Sequence, residues 1–315
     1  MRFFITGGAG FIGSNFVAHL FQNVEGVTGV TVYDKFTYAA NPKNYQVFTN
    51  DSRLTVIKGD ICNSVLLEDS MAKSDIVVHF AAESHVDRSI NDASAFIHTN
   101  VLGTYNVLEA SRKLKIKTVI HVSTDEVYGS LSEGTADEAF PLQPNSPYAA
   151  SKAAADLLVR SYFMTHGLDV RTTRCCNNYG KYQYPEKVIP VFIKKLLSGK
   201  KLPIYGNGEN VREWIHVSDH ARGIQTVLDK GKPGEIYNIG TGSYLSNNEL
   251  GRMIVDTMGF EKNRMSFVTD RKGHDFRYSI DSTKIKALGY SNEIDLKHGL
   301  TETIDWYKDN LDWWS

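Results

Sequence analysis

Short apolar runs that alternate with longer helix-compatible segments, and a glycine-rich turn between the first run and the first helix, predict an α/β fold. The form expected is a Rossmann-like doubly wound parallel sheet with a smaller, interleaved C-terminal substrate-binding domain. Val- and Ile-rich strands separated by helices pair in parallel and are covered on both faces. Ligands of such sheets bind beyond the carboxyl ends of the strands.

Taken in order, strands are expected at "RFFIT" (2–6), "GVTVYD" (29–34), "LTVIKGD" (54–60), "DIVVHFAA" (75–82), "TVIHVST" (118–124) and "DVRTTRCC" (169–176). Helix-compatible segments lie at 14–23, 94–115 and 148–166. From about 183 the rhythm is broken by Pro and Gly around one helix, in "QYPEKVIPVFIKKLLSGKKLPIYGNG", which marks a substrate-facing part. "VREWIHVSDHARGIQTVLDKG" reads as strand, turn and helix returning to the main sheet. The expected division is a first domain over 1–182 together with about 212–240, and a second over 183–211 and 241–315. The aromatic tail "WYKDNLDWWS" suits packing at a helix end or a subunit contact.

With 315 residues, 42% of them hydrophobic, the chain can bury a large core in roughly two domains. Thirty-five Lys and Arg against 36 Asp and Glu leave a formal charge of -1, which offers no general attraction to nucleic acid or membrane. An anionic partner therefore needs a local pocket. The sequence shows no secretory leader and no apolar run of membrane-spanning length, so a cytoplasmic location is expected. Cys62, Cys175 and Cys176 make no CxxC pair; reduced thiols and no metal are expected.

Gly7, Gly10 and Gly13 stand between a strand and a helix, where missing side chains allow a tight turn and close approach of backbone to a pyrophosphate at the helix N-terminus. Asp34 ends the second strand, the usual place for a carboxylate that binds an adenosine ribose and repels a 2′-phosphate, so NAD is expected over NADP. Asp60 and "FAA" (80–82) end further strands beside it. Tyr148 and Lys152 are one helical turn apart, and a nearby ammonium lowers a phenol's pKa towards that of a usable base. Asp125 and Glu126 follow the strand that ends at Thr124. On spacing alone they fit either a solvated turn or a pair dividing acid and base roles.

GxxGxxG, an acidic second-strand end and YxxxK, in that order, resemble the extended short-chain dehydrogenase/reductase family, whose members oxidise and remodel nucleotide sugars. "AAESHVDRSI" (81–90), "STDEVYG" (123–129), "NNYGKYQYPEKVIP" (177–190) and "DRKGHDFRYSID" (270–281) make the chain similar to the 4,6-dehydratases of that family over nearly its whole length. The resemblance implies NAD as cofactor, dTDP-glucose as substrate and a homodimer. It implies catalysis by Thr124, Asp125, Glu126, Tyr148 and Lys152: oxidation at carbon 4 by Tyr148, aided by Thr124 and Lys152, then loss of water across carbons 5 and 6 with Asp125 as acid and Glu126 as base. Implied cofactor contacts are Gly7, Gly10, Phe11, Ile12, Gly13, Asp34, Lys35, Thr37, Asp60, Ile61, Phe80, Ala81, Ala82, Thr99, Tyr148 and Lys152. Implied substrate contacts are Ser84, Thr124, Asn177, Lys187, Val188, Pro203, Tyr205, Arg212, Asn247, Arg271, His274 and Tyr278, with Arg212 and Arg271 on the diphosphate because a guanidinium fork matches phosphate oxygens. Departures from the family pattern are Cys176 in place of Ser, Lys181 in place of Pro, and "GTGSYLSNNEL" (240–250), which bears on Asn247. A nucleotide-sugar 4-epimerase needs no acid/base pair for elimination, and a silent NAD-binding protein needs neither that pair nor Tyr148 with Lys152.

Overall fold

The computed structural model describes residues 1–271 and 273–314. Its strands are β1 (Arg2–Thr6), β2 (Gly29–Asp34), β3 (Leu54–Lys58), β4 (Ile76–His79), β5 (Thr118–Thr124), β6 (Val170–Cys175), β7 (Asn177–Tyr179), β8 (Leu202–Tyr205), β9 (Val211–His216), β10 (Ile236–Ile239), β11 (Tyr244–Ser246) and β12 (Met265–Val268). Seven of them form one sheet in the order β10-β6-β5-β4-β1-β2-β3, with every neighbouring pair parallel. The chain direction of winding reverses between β1 and β4, and a crevice opens there at the strands' carboxyl ends.

Side-chain alternation explains the two covered faces. Phe3 and Ile5 of β1 point into a core with Phe16, Val17, Leu20 and Ile224, beneath helices Phe11–Asn23 and Val217–Lys230. Phe4, between them, points into the opposite core with Leu67, Met71, Val107 and Val159, beneath helices Ser64–Met71, Thr104–Lys113 and Pro147–His166. A third core of Ile189, Phe192, Trp214, Leu250, Ile254 and Leu300 lies under two smaller sheets, β11-β9-β7 and β12-β8.

Two segments differ from the expectation. Strand β9 does not return to the main sheet: it pairs with β7 and β11, and the return is made by the helix Val217–Lys230 and β10. Apolar pattern identifies a strand but not its partner, since Trp214 and Ile215 are buried on opposite sides, in different cores. The helix expected over 94–115 is interrupted by a π turn at Ile97–Gly103. That turn aims Asn100 at the 83–84 loop: its side chain accepts from Glu83 N at 2.8 Å and donates to Glu83 O at 3.0 Å and Ser151 Oγ at 2.8 Å. The aromatic tail packs inward, with Trp313 Nε1 donating to Asn44 Oδ1 at 2.8 Å and Asn41 Nδ2 donating to Trp313 O at 2.8 Å.

Candidate active site

A single cavity of about 470 Å³ runs from the β1–β4 crevice to the two small sheets. Every residue that the sequence singles out for catalysis, cofactor or substrate lines it, from Gly7 at one end to Arg271 and His274 at the other. They come from strand ends and loops scattered through the chain.

At the cofactor end, main chain forms the wall. Gly7 has φ of +69°, and a Cβ there would lie 2.6 Å from Ala81 N, so the turns after β1 and β4 touch through backbone. A Cβ on Gly13 would meet Gly7 O at 2.3 Å, which closes the loop onto the first turn of helix Phe11–Asn23. Asp34, buried at the end of β2, accepts from Ala9 N at 2.9 Å and Phe36 N at 2.8 Å. Burial pushes its pKa up and the two N–H donors pull it down. Asp60 is paired with Lys35 at 2.8 Å. Narrow glycine backbone, a helix N-terminus and a strand-end carboxylate fit a dinucleotide such as NAD.

At the middle of the cavity, Thr124 ends β5 and caps a 3-10 turn, Asp125–Tyr128, by accepting from Glu126 N at 3.3 Å. The turn delivers both carboxyls to the cavity but places them in different surroundings. Asp125 is 3% exposed, and its Oδ2 has no hydrogen-bond partner among the described residues. Burial raises its pKa well above the usual range, and Glu126 and Glu213 add to that, against Arg212 and the Thr124 hydroxyl. The Thr124 hydroxyl donates to Asp125 Oδ1 at 3.3 Å. Burial raises Glu126 as well, but Lys187, Arg212 and Arg271 all act to keep it ionised. One carboxyl is thus held as an acid while its neighbour is surrounded by cations.

Tyr148 and Lys152 follow on helix Pro147–His166, whose start is set by the Ser146 cap on Ala149 N at 3.1 Å. The expected fall in the Tyr148 pKa is not produced by the chain alone. Burial raises it well above the usual value, Glu126, Cys175 and Asp125 push the same way, and Thr124 beside the hydroxyl lowers it. Lys152 Nζ instead donates to Val122 O at 2.8 Å, and burial lowers its own pKa.

At the sugar-nucleotide end, Arg212 of β9 donates to Val211 O (2.8 Å), Phe276 O (3.3 Å) and Asp275 O (2.8 Å), and lies over the Tyr278 ring at 4.3 Å. Lys187 Nζ donates to Ser84 O at 2.6 Å. Arg271 approaches Asp87 at 3.6 Å and His274 Nε2 at 3.2 Å, and its Nε is buried without a hydrogen-bond partner among the described residues. Asn247 opens helix Asn247–Thr257, directly after its N-cap Ser246 and within the Ser246–Glu249 capping box. Sequence reading missed Asp275, Glu186, Cys175 and Ser123, which also line the cavity. Asp275 sits three residues before Tyr278 in a quoted motif, a spacing that could have flagged it; Glu186 is recruited by Tyr38 at 3.1 Å across the fold, which no local pattern shows.

A doubly wound sheet with a glycine-built dinucleotide crevice, a Thr–Tyr–Lys set and an adjacent carboxyl pair defines an extended short-chain dehydrogenase/reductase. The family model described as GDP-mannose 4,6 dehydratase matches residues 4–303, and the chain belongs to that family. It is 51% identical to the dTDP-glucose 4,6-dehydratase of Streptomyces niveus over 318 residues, covering 100% of this chain and 95% of the relative. The structure of DesIV, a dTDP-glucose 4,6-dehydratase of Streptomyces venezuelae solved with NAD bound, superposes with a TM-score of 0.98 at 51% identity, covering 100% of this chain and 99% of the other. The UDP-glucose 4-epimerase of Thermotoga maritima also superposes, with a TM-score of 0.91 and coverage of 99% and 100%, but at 29% identity.

Proposed function

We propose that the cavity performs an oxidation and an elimination on one nucleotide sugar. The protein is an NAD-dependent hydro-lyase that converts dTDP-glucose to dTDP-4-keto-6-deoxyglucose, a step of deoxysugar nucleotide biosynthesis. The observation that carries this reading is the Asp125–Glu126 pair, two carboxyls with contrasting surroundings beside Tyr148. When bound, NAD supplies the hydride acceptor for carbon 4, the hydride donor for carbon 6 and a positive charge that favours the Tyr148 phenolate. Tyr148 takes the proton of the carbon 4 hydroxyl, with Thr124 beside it and Lys152 behind it. The ketone formed at carbon 4 acidifies the proton at carbon 5, and Glu126 removes that proton. Asp125, held protonated, gives its proton to the carbon 6 hydroxyl, which leaves as water. Glu126 then returns its proton to carbon 5. The cycle ends with one surplus proton on Tyr148 and one missing from Asp125, and the Thr124 hydroxyl, which donates to Asp125 and lies beside Tyr148, spans the two.

Arg212 and Arg271 hold the diphosphate, and the other substrate and cofactor contacts act as the resemblance implies. The purified protein, given dTDP-, UDP-, CDP- and GDP-hexoses, should release water from dTDP-glucose, read as product mass. Glu126→Gln should slow this by roughly 10²-fold or more, the usual contribution of a positioned base. Inversion at carbon 4 without loss of water would favour the epimerase reading instead.

The division into a cofactor part, 1–182 with about 212–240, and a sugar-nucleotide part is proposed on the same grounds. So is a homodimer: Leu157 and Met164 on helix Pro147–His166 are 60% and 62% exposed, and Ile97 and Tyr105 on the neighbouring helical segment are 51% and 43% exposed. Such an apolar face is hidden by pairing two copies. Met164→Glu should shift the sedimentation coefficient to that of a monomer. A cytoplasmic location fits the buried free thiols Cys175 and Cys176. Among the described residues no helix is long and apolar enough to cross a membrane.

A further inference from the structure

Glu126 can act as the base only if nothing in the protein donates strongly to its carboxylate. The groups facing it are Lys187, Arg212, Arg271, Asp125, Asp275, Tyr148 and Tyr278. Among them Tyr278 stands within direct reach, its hydroxyl 3.5 Å from Glu126 Oε2. The same hydroxyl is 2.6 Å from Asp275 Oδ2. A phenol has one proton to give, and the shorter contact takes it.

We propose that Asp275 is a positioning residue for the elimination: it holds the Tyr278 hydroxyl proton and so leaves the Glu126 carboxylate free to act as base. The surroundings fix Asp275 for this. It is 6% exposed, its Oδ1 accepts from Asn145 Nδ2 at 2.6 Å, and its carbonyl accepts from Arg212 at 2.8 Å and Asn210 at 3.2 Å. Asn145 lies three residues before Tyr148, so the same carboxylate ties the 270–281 segment to the start of the helix that carries the oxidising base. The Tyr278 ring is held in place beneath Arg212. Without Asp275 the Tyr278 proton turns to Glu126 in a charge-assisted hydrogen bond, which stabilises the carboxylate and weakens it as a base.

This inference rests on Glu126 being the base, which Glu126→Gln tests separately. The experiment is the pH profile of kcat for the NAD-loaded enzyme at saturating dTDP-glucose, whose acid limb reports the base in the enzyme–substrate complex. Asp275→Asn keeps the shape of the side chain but turns an amide N–H towards Tyr278. Its acid limb should move to lower pH by about 0.5–1 unit, and its plateau should fall roughly threefold to tenfold. Removing the Asp275 charge would also move the limb, but through space and without Tyr278. The double variant Asp275→Asn/Tyr278→Phe separates the two: the shift should shrink there to the through-space part. An unshifted limb in the single variant, or an equal shift in the double, overturns the proposal. Tyr278→Phe alone supplies the check should Asp275→Asn fold poorly. Its acid limb should stay at the wild-type position, and a move to higher pH would show that Tyr278 donates to Glu126 already.

Discussion

The cofactor end of the cavity is walled by main chain, whereas the middle and sugar end are lined by charged side chains brought from six segments. Gly7 and Gly13 work by what they lack, and the contacts they allow are within one loop and between the ends of two adjacent strands. Asp125, Glu126, Arg212, Arg271 and Lys187 work through one another: burial raises both carboxyls, and charges brought together from distant parts of the chain then act on each. A backbone-built site should fail sterically when altered, with little dependence on pH. A site built of coupled charges should fail chemically while the fold survives.

The largest effect expected from this contrast is at Asp125. Asp125→Asn removes the acid and should lower turnover by roughly 10²-fold, measured as dTDP-glucose consumed at saturation. Its stability should change in the opposite direction. The folded-state pKa of Asp125 is raised, so the folded wild type keeps a proton that the unfolded chain has lost, and wild-type stability declines as pH rises above the ordinary Asp range. Asp125→Asn lacks that decline. It should unfold at higher urea than wild type at neutral pH, and the two curves should converge near about pH 4.

Gly13→Ala comes next and should break the other end without touching the chemistry. Its Cβ would lie 2.3 Å from Gly7 O and 2.8 Å from Gly8 Cα, both backbone, so the loop must open. Overpacking of this kind costs about 1–3 kcal/mol, or roughly 10- to 100-fold in NAD affinity when it falls on the binding loop. Gly10→Ala meets only Gly7 O at 3.4 Å, so the loop should keep its shape there and the protein should unfold at higher urea than Gly13→Ala. Equilibrium titration of the stripped Gly13→Ala protein with NAD makes the test; wild-type affinity would mean that the loop yields.

Arg212→Lys should have a smaller effect, confined to the sugar end. An ammonium cannot reproduce the donors to Val211, Phe276 and Asp275 and still face the diphosphate. KM for dTDP-glucose should rise about tenfold with NAD affinity unchanged. The smallest effect on activity concerns the foundations of β7 and β9, where the consequence falls on stability. Burial holds His216 down at about 4 and His220 at about 3, where Asn178 Oδ1 meets the His220 ring at 2.8 Å. Both stay neutral in the folded chain while the unfolded chain takes up protons below about 6.5. Stability should therefore fall with pH from there towards about 4, by up to about 1.4 kcal/mol per pH unit for each imidazole. Urea unfolding between neutral pH and about pH 5 would reveal a flat profile if these rings were not dry.

Local pattern was sufficient wherever the physics is local. Short apolar runs alternating with helix-compatible segments, and the glycine spacing, determine the parallel sheet and its carboxyl-end crevice, because strand formation and steric clearance depend on near neighbours in the chain. The resemblance carried by YxxxK and "STDEVYG" added the reaction. Tertiary structure alone decided which strand pairs with β9, since burial of Trp214 and Ile215 says nothing of who buries them. It also decided that Lys152 donates to Val122 O, that Tyr278 gives its proton to Asp275, and which of two adjacent carboxyls keeps its own. Those outcomes are differences between desolvation and Coulomb interactions over a few ångströms, and distances of that size between residues as far apart in the chain as Glu126 and Tyr278 exist only in the folded chain.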